Sequence, residues 1–303
     1  MSQHEELTTS AVSAIVRAQF PDVHPSTVRY LGQGYDSTAF DVNGEWVFRF
    51  PKREDIERQL LLEMRVLPEL ERRSPPIPIP TFRLHGQPTT AFPRHFVGYP
   101  KLVGEPAFDV DPLDPAFARC ARLVGQFLSW LHSFPPAEAD IVGVERRSIT
   151  TYLDEWRTDA LGSFEQVSVA APVAPLETWH RYVSEDRGLD DTSTSEVVLV
   201  HADFAAEHVL YDEQRRSLTG VIDWSEIAIA DRSVDLSGLF HWGGEPLVRA
   251  ALAAYAFAVD ELTLRRARYI AVCRAITDIQ FAAEMGREEY LRAGLRALTL
   301  CIK

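Results

Sequence analysis

Basic residues are scarce in this sequence. Its 31 Lys and Arg stand against 44 Asp and Glu, for a formal net charge of -13 and a pI near 5.2. Non-specific nucleic-acid binding needs a basic surface that displaces counterions, so this balance argues against a nucleic-acid partner. Long apolar runs are missing too. No uninterrupted stretch reaches the length that spans a bilayer, and the first ten residues, MSQHEELTTS, hold acidic groups and no apolar core. Neither a membrane partner nor a signal peptide is expected, and the chain reads as cytoplasmic. Cysteine is rare. Cys120, Cys273 and Cys301 are scattered, odd in number and without metal-like spacing, which points to a reducing compartment.

What is present is ordinary globular material. Hydrophobic residues make up 46% and charged residues 25% of 303 positions, enough for a core of normal size in one large domain or two modest ones. The first third reads as β-rich. Ser26 to Leu31, Ser37 to Val42 and Glu45 to Phe50 are strand patterns, and Asn43-Gly44 is a strong two-residue hairpin signal. An amphipathic helix is expected from about Asp55 to Glu71, on an apolar stripe of Leu60, Met64, Leu67 and Leu70. The proline-rich run Ser74 to Pro80 must be extended. His95 to Leu102 is strand-like and leads into Gly104-Glu105-Pro106, where the first lobe ends. Beyond it the pattern is mostly helical: Ala116 to His132, Tyr152 to Ala160, Leu176 to Ser184, and Val234 to Leu300. A short buried strand, Val197 to Val200, and a hairpin of Val209 to Tyr211 with Leu218 to Ile222 interrupt it. Trp130 sits beside a buried helix face and reads as core. A small β-rich lobe followed by a larger helical lobe is the order of a kinase.

The chemistry sits in and after the late strands. Phosphoryl transfer needs a carboxylate beside the attacking hydroxyl and metal ligands that neutralise phosphate charge. The kinase catalytic loop has Asp two residues after His, and a metal-binding Asn five residues later. In His201-Ala202-Asp203-Phe204-Ala205-Ala206-Glu207-His208, Asp203 takes the base position and His208 stands where Asn is usual. A lone His-x-Asp is a common tripeptide. The second motif changes its weight: Ile222-Asp223-Trp224 closes a buried run where kinases carry the metal-binding Asp of Asp-Phe-Gly. A lone Asp after a strand is commonly a turn residue, but the ordered pair of motifs joined by one hairpin is far rarer. Upstream, Gly32-Gln33-Gly34-Tyr35-Asp36-Ser37 joins two strands. Gly32 and Gly34 would let backbone approach phosphates, with Ser37 in place of the third glycine of GxGxxG, although a glycine-rich hairpin turn is the commoner meaning of such a segment. Arg49 occupies the strand position of the phosphate-binding lysine, with Glu63 on the following helix as its partner; the plainer alternative is a surface arginine and a solvated helix glutamate.

On these motifs the sequence resembles the aminoglycoside phosphotransferase family, closest in appearance to the branch that phosphorylates the 2″-hydroxyl. The likeness runs through Leu31 to Tyr35, Val47 to Lys52, Pro76 to Pro80, Gly98 to Pro106, Phe127 to His132, Val200 to Phe204, and Gly220 to Trp224 with Ala230-Asp231. It implies an α+β, bilobal protein-kinase-like fold. Residues 1–103 would be the nucleotide-binding lobe ending in the hinge, and residues 104–303 the catalytic and substrate-binding helical lobe. It implies Asp203 as the catalytic Asp, Asp223 as a metal ligand, and backbone of Pro100 to Leu102 against the purine edge; His208, in the place of the second ligand, is expected to share the metal with Asp223, although magnesium prefers oxygen. ATP or GTP with Mg2+, or with Mn2+, would be the phosphate source. Arg49 for lysine and His208 for Asn depart from the family pattern; a histidine at the latter position is also a feature of macrolide phosphotransferases.

For the acceptor, Glu207, Glu226, Asp278, Glu284 and Glu288 are the candidate acidic contacts to a small hydroxylated, cationic molecule. Asp235 is expected to brace the loop. His241-Trp242 would stack on a sugar or simply pack. Besides the aminoglycoside reading, a macrolide or metabolic small-molecule kinase and a nucleotide-binding pseudokinase stay open, the last because of Arg49 and His208.

Overall fold

The computed structural model describes residues 7–33, 36–192 and 196–302. The chain divides into two compact units: Met1–Ser74 with Ile79–Leu102, and Pro75–Pro78 with Val103–Lys303. In the first, helix α1 (Thr9–Gln19) precedes β1 (Val28–Gln33), β2 (Ser37–Val42) and β3 (Trp46–Pro51); α2 (Glu54–Glu71), β4 (Leu84–Gly86) and β5 (Phe96–Pro100) follow. The strands form one antiparallel sheet in the order β1-β2-β3-β5-β4. The β2–β3 hairpin turns at Asn43 and Gly44, whose φ values of 62° and 73° meet the demand of a type I′ turn. Val42 pairs with Trp46, so Glu45 belongs to the loop as well, one residue more than the two-residue turn expected.

The core of this unit is aromatic. Phe40, Phe48, Phe50 and Phe96 are buried, with Phe50 stacked on Phe96 at 4.6 Å between ring centroids. Burying each such side chain stabilises by about 1.5–3 kcal/mol. Val12, Ile15 and Val16 of α1 join the same cluster. Their i, i+3, i+4 spacing is a helical signal in the sequence itself. Thr8 caps α1, its hydroxyl accepting from Ala11 N at 3.2 Å. In α2 the buried stripe is Ile56, Leu60, Glu63, Val66, Leu67 and Leu70; Met64, expected in the stripe, is only half-buried. A carboxylate thus holds a core position of an otherwise apolar face.

The second unit begins with β6 (Glu105–Pro106), α3 (Ala118–His132), α4 (Pro136–Val142), α5 (Ile149–Ala170) and α6 (Leu176–Ser184). β7 (Val197–Val200), β8 (Val209–Asp212), β9 (Ser217–Val221) and β10 (Ala228–Asp231) lead into α7 (Ser233–Leu252), α8 (Glu261–Met285) and α9 (Glu288–Cys301). β7 pairs with β10, and β6-β8-β9 form a separate three-stranded sheet. Both small sheets are antiparallel, and β8–β9 is the hairpin the sequence predicts. The Pro75–Pro78 segment clusters here because Pro78 O accepts from Val221 N at 2.9 Å. The three cysteines are free and buried. Among the described residues no helix is long and apolar enough to cross a membrane. The small antiparallel sheet followed by a helical body is the kinase-like α+β order.

Candidate active site

In the first unit Arg49 lies on β3 between β2 and β5, opposite Ala39 and Val97. Its guanidinium makes two hydrogen bonds to Glu63, Nη1 to Oε2 at 2.8 Å and Nη2 to Oε1 at 3.2 Å. The Glu63 side chain is 1% exposed and that of Arg49 10%. This explains the carboxylate in the α2 stripe: a buried charge needs a paired, hydrogen-bonded partner, and the flat guanidinium supplies a two-pronged one. Ser37 opens β2, half-buried, and Gly32 lies in β1, while Gly34 falls outside the described residues. Of the expected hinge, Pro100 has no N–H and Lys101 donates its own to Glu45 O at 2.7 Å. That leaves the Leu102 amide as the hinge donor among the three.

In the second unit β7 delivers the chain to the His201–His208 loop. Asp235, fully buried at the start of α7, braces it as expected. Its carboxylate accepts from His201 N at 3.0 Å and Ala202 N at 2.9 Å. His132 of α3 adds a third contact, Nε2 to Oδ2 at 3.0 Å. Ala202 is held at φ 66° and Asp223 at φ 62°, left-handed conformations that side chains other than glycine seldom adopt. Each costs on the order of 1–2 kcal/mol, and both flank the candidate chemistry. His201 accepts from Asp203 N at 3.3 Å through Nδ1 and donates from Nε2 to Ile222 O at 3.1 Å, joining the two motifs. Burial pushes its pKa down, against nearby Asp235, so it is the neutral ring that both bonds require. Phe204 O lies so close to α7 that a Cβ on Gly238 would sit 1.4 Å from it.

Asp203, His208 and Asp223 converge. His208 Nδ1 donates to Asp203 O at 2.8 Å and lies 3.3 Å from Asp203 Oδ2. Its Nε2 lies 3.8 Å from Asp223 Oδ2. Burial lowers the His208 pKa, but Asp203, Asp223 and Glu207 together raise it above the ordinary value. With Nδ1 committed as donor, the neutral ring turns its Nε2 lone pair toward Asp223, giving one nitrogen and one carboxylate that face each other. No group of three or more His, Cys, Asp or Glu suited to a metal is found among the described residues. Two protein ligands fit a cation that arrives with phosphates, as magnesium characteristically does, keeping waters and phosphate oxygens for the remaining positions. The nitrogen donor suits manganese better.

A residue absent from the sequence reading completes the cluster. Arg274 of α8, buried, places Nη2 2.7 Å from Asp203 Oδ1 and 2.7 Å from Glu207 Oε1. Burial raises the Glu207 pKa, yet Arg274 holds it well below the usual carboxylate range. The signal for Arg274 was a charge inside Val272-Cys273-Arg274-Ala275-Ile276, since such a charge demands a partner. Asp278 Oδ2 approaches His241 Nε2 at 2.9 Å without hydrogen-bond geometry. Glu207 Oε2, Asp278 Oδ2 and both His241 ring nitrogens are buried with no hydrogen-bond partner among the described residues. Phe108, Phe281 and Tyr290 form an edge-on aromatic group, Tyr290 lying 4.9 Å and 4.7 Å from the other two. Of the other acidic candidates, Glu226 exerts its charge on Arg147 and Tyr152, Glu284 accepts from Gln280 Nε2 at 2.7 Å, and Glu288 is exposed in the first turn of α9. The His241-Trp242 pair packs: Trp242 is fully buried, edge-on to Phe117 at 5.2 Å.

Comparison with known proteins gives the family and the fold. The profile of the phosphotransferase enzyme family matches residues 27–269. An uncharacterised protein of Bacillus subtilis, YcbJ, is 23% identical over 97% of both chains. Among solved structures, an aminoglycoside 2″-phosphotransferase, type IIIa, in complex with GDP and kanamycin superposes with a TM-score of 0.72 at 24% identity, over 97% of this chain and 98% of its own. The macrolide 2′-phosphotransferase MphH of Brachybacterium faecium gives a TM-score of 0.65 at 23% identity, over 95% and 98%.

Proposed function

The chain belongs to the phosphotransferase enzyme family, and from that premise we propose that it moves the γ-phosphate of ATP or GTP onto a hydroxyl of a small-molecule acceptor, an aminoglycoside before any other. The observation that carries the reading is the convergence of Asp203, His208 and Asp223 on one loop and hairpin of the second unit. Asp203 orients the acceptor hydroxyl and takes its proton as the oxygen bonds to phosphorus and the nucleoside diphosphate leaves. His208 and Asp223 would hold the divalent cation, which neutralises phosphate charge when bound. In the first unit Arg49, fixed by Glu63, with Gly32, Gly34 and Ser37, would bind phosphates, and Leu102 N–H the purine edge. The pseudokinase alternative loses weight because Arg49 retains the paired glutamate of an active kinase.

The acceptor reading rests on the acidic balance of the chain and on Asp278, Glu284 and Glu288 of the last two helices. The macrolide reading has its own support: Arg274 already neutralises Glu207, and Phe108, Phe281 and Tyr290 offer aromatic surface. Salt separates the two. An acidic site attracts a polycation through a field that salt screens, whereas a macrolide with about one amine charge relies on apolar burial. Nucleotide turnover with kanamycin, gentamicin and erythromycin is to be measured at low and high ionic strength, in magnesium and in manganese. A KM that rises with salt for kanamycin or gentamicin supports the aminoglycoside. Turnover of erythromycin alone, indifferent to salt, would replace it with the macrolide, and turnover of none would leave a metabolic acceptor or a non-catalytic nucleotide binder.

A further inference from the structure

Both oxygens of the Asp203 carboxylate face nitrogen. Oδ2 lies 3.3 Å from His208 Nδ1, and Oδ1 lies 2.7 Å from Arg274 Nη2. The same Nη2 donates to Glu207 Oε1 at 2.7 Å. Arg274 comes from the middle of α8, whose neighbouring positions Cys273, Ala275 and Ile276 are wholly buried, which fixes the backbone that carries it. Glu207 is itself buried, on the short turn between Asp203 and β8. A carboxylate that must orient a hydroxyl gains from being fixed in one rotamer by a neighbour that is itself fixed.

We propose that Arg274, anchored by Glu207, is a positioning residue that locks the rotamer of the Asp203 carboxylate for transfer. This rests on the phosphotransferase reading, with Asp203 as base. Glu207 is on that view not an acceptor contact but the counter-charge that aims Arg274. The arrangement also places a fixed cation beside the base, so the reacting end of the acceptor need not carry the amine that balances two carboxylates. A purely structural role makes a different demand: Arg274 would then serve only to neutralise buried Glu207, and removing both charges together would restore everything.

The test is a set of variants, Arg274→Met, Arg274→Lys, Glu207→Gln and Arg274→Met/Glu207→Gln, assayed with whichever of kanamycin, gentamicin or erythromycin the parent phosphorylates. The double variant no longer strands buried Glu207 and should melt well above Arg274→Met, short of the parent by what the lost Arg274–Asp203 contact contributes. Its kcat should remain depressed by about 10- to 100-fold, with the KM for nucleotide within about twofold of parent, as loss of a transition-state-only contribution requires. Arg274→Lys should recover part of kcat, since the charge stays but the planar fork is lost. Recovery of parental kcat by the double variant would overturn the positioning role, as would a nucleotide KM that rises in step with the loss. A second measurement does not depend on turnover. Melting of Asp203→Asn, Arg274→Met and their combination should show non-additive shifts, because residues in contact couple; additive shifts would refute the Arg274–Asp203 contact. A parent inert toward all three acceptors removes the antibiotic acceptor but not the contact, and the melting cycle then decides the Arg274–Asp203 lock by itself.

Discussion

Removal of Arg49 is the sharpest probe of the first unit. Its guanidinium bonds twice to Glu63, whose side chain is 1% exposed. Arg49→Ala therefore strands a buried carboxylate, and breaking a buried pair in this way typically costs about 3–5 kcal/mol. At roughly 2–4 °C per kcal/mol for a chain of this class, the melting temperature should fall by about 6–20 °C. Nucleotide affinity should fall for a separate reason. A charge-assisted hydrogen bond to phosphate contributes about 1.5–3 kcal/mol, or about 10- to 100-fold in Kd. The two effects are separable with Arg49→Met/Glu63→Leu, which replaces the pair by apolar groups of similar volume and should melt within a few degrees of the parent. Calorimetric titration with ATP and with GTP should still show the weakened Kd in that double variant, while Arg49→Lys should be intermediate or improved. Parental affinity in the stable double variant would refute the phosphate role of Arg49 and reduce it to a structural ion pair.

Three further outcomes are expected. Asp203→Asn should lose about 10²–10⁴ in kcat with nucleotide Kd unchanged, measured by single-turnover transfer and titration; equal turnover at saturation would remove Asp203 from the base role. His208 has a pKa raised above its ordinary value by the surrounding carboxylates, and its protonated ring cannot ligate a metal. Metal-supported activity should therefore fall as pH drops through that raised value, with manganese resisting the fall better than magnesium, and a flat profile across the histidine range would count against it. The metal-free protein should show the opposite sign: stability from His208 is fully present below its unfolded pKa and disappears as pH rises through the folded one, so melts of His208→Gln and parent should differ in acid and converge in base. Gly238→Ala places a Cβ 1.4 Å from Phe204 O, so the His201–His208 loop or α7 must shift. Such overpacking costs about 1–3 kcal/mol or more, seen as a lower melting temperature together with lower kcat; a variant that melts like the parent would show that the loop yields freely.

The sequence by itself determined the elements whose partners are near in the chain. The β2–β3 hairpin followed from Asn43-Gly44, and the Asp203, His208 and Asp223 set followed from one loop and one hairpin, because a short connection leaves such residues few ways to be apart. The kinase-like order of a β-rich part before a helical one was legible for the same reason: it is a matter of local periodicity. Helix α1 was legible too, in Val12, Ile15 and Val16, but its short amphipathic face carries a weak signal beside the strands. Only the tertiary structure decided which charges meet. Glu63 occupies a core position that apolar spacing gave to a neighbour, Met64, since Arg49 on another element compensates it. Glu207, an acceptor candidate by its place beside His208, turns out to be bound by an arginine 67 residues away in sequence. Buried charge must be paired, and a sequence announces that need without naming the partner; the packing of α8 on the His201–His208 loop supplies it.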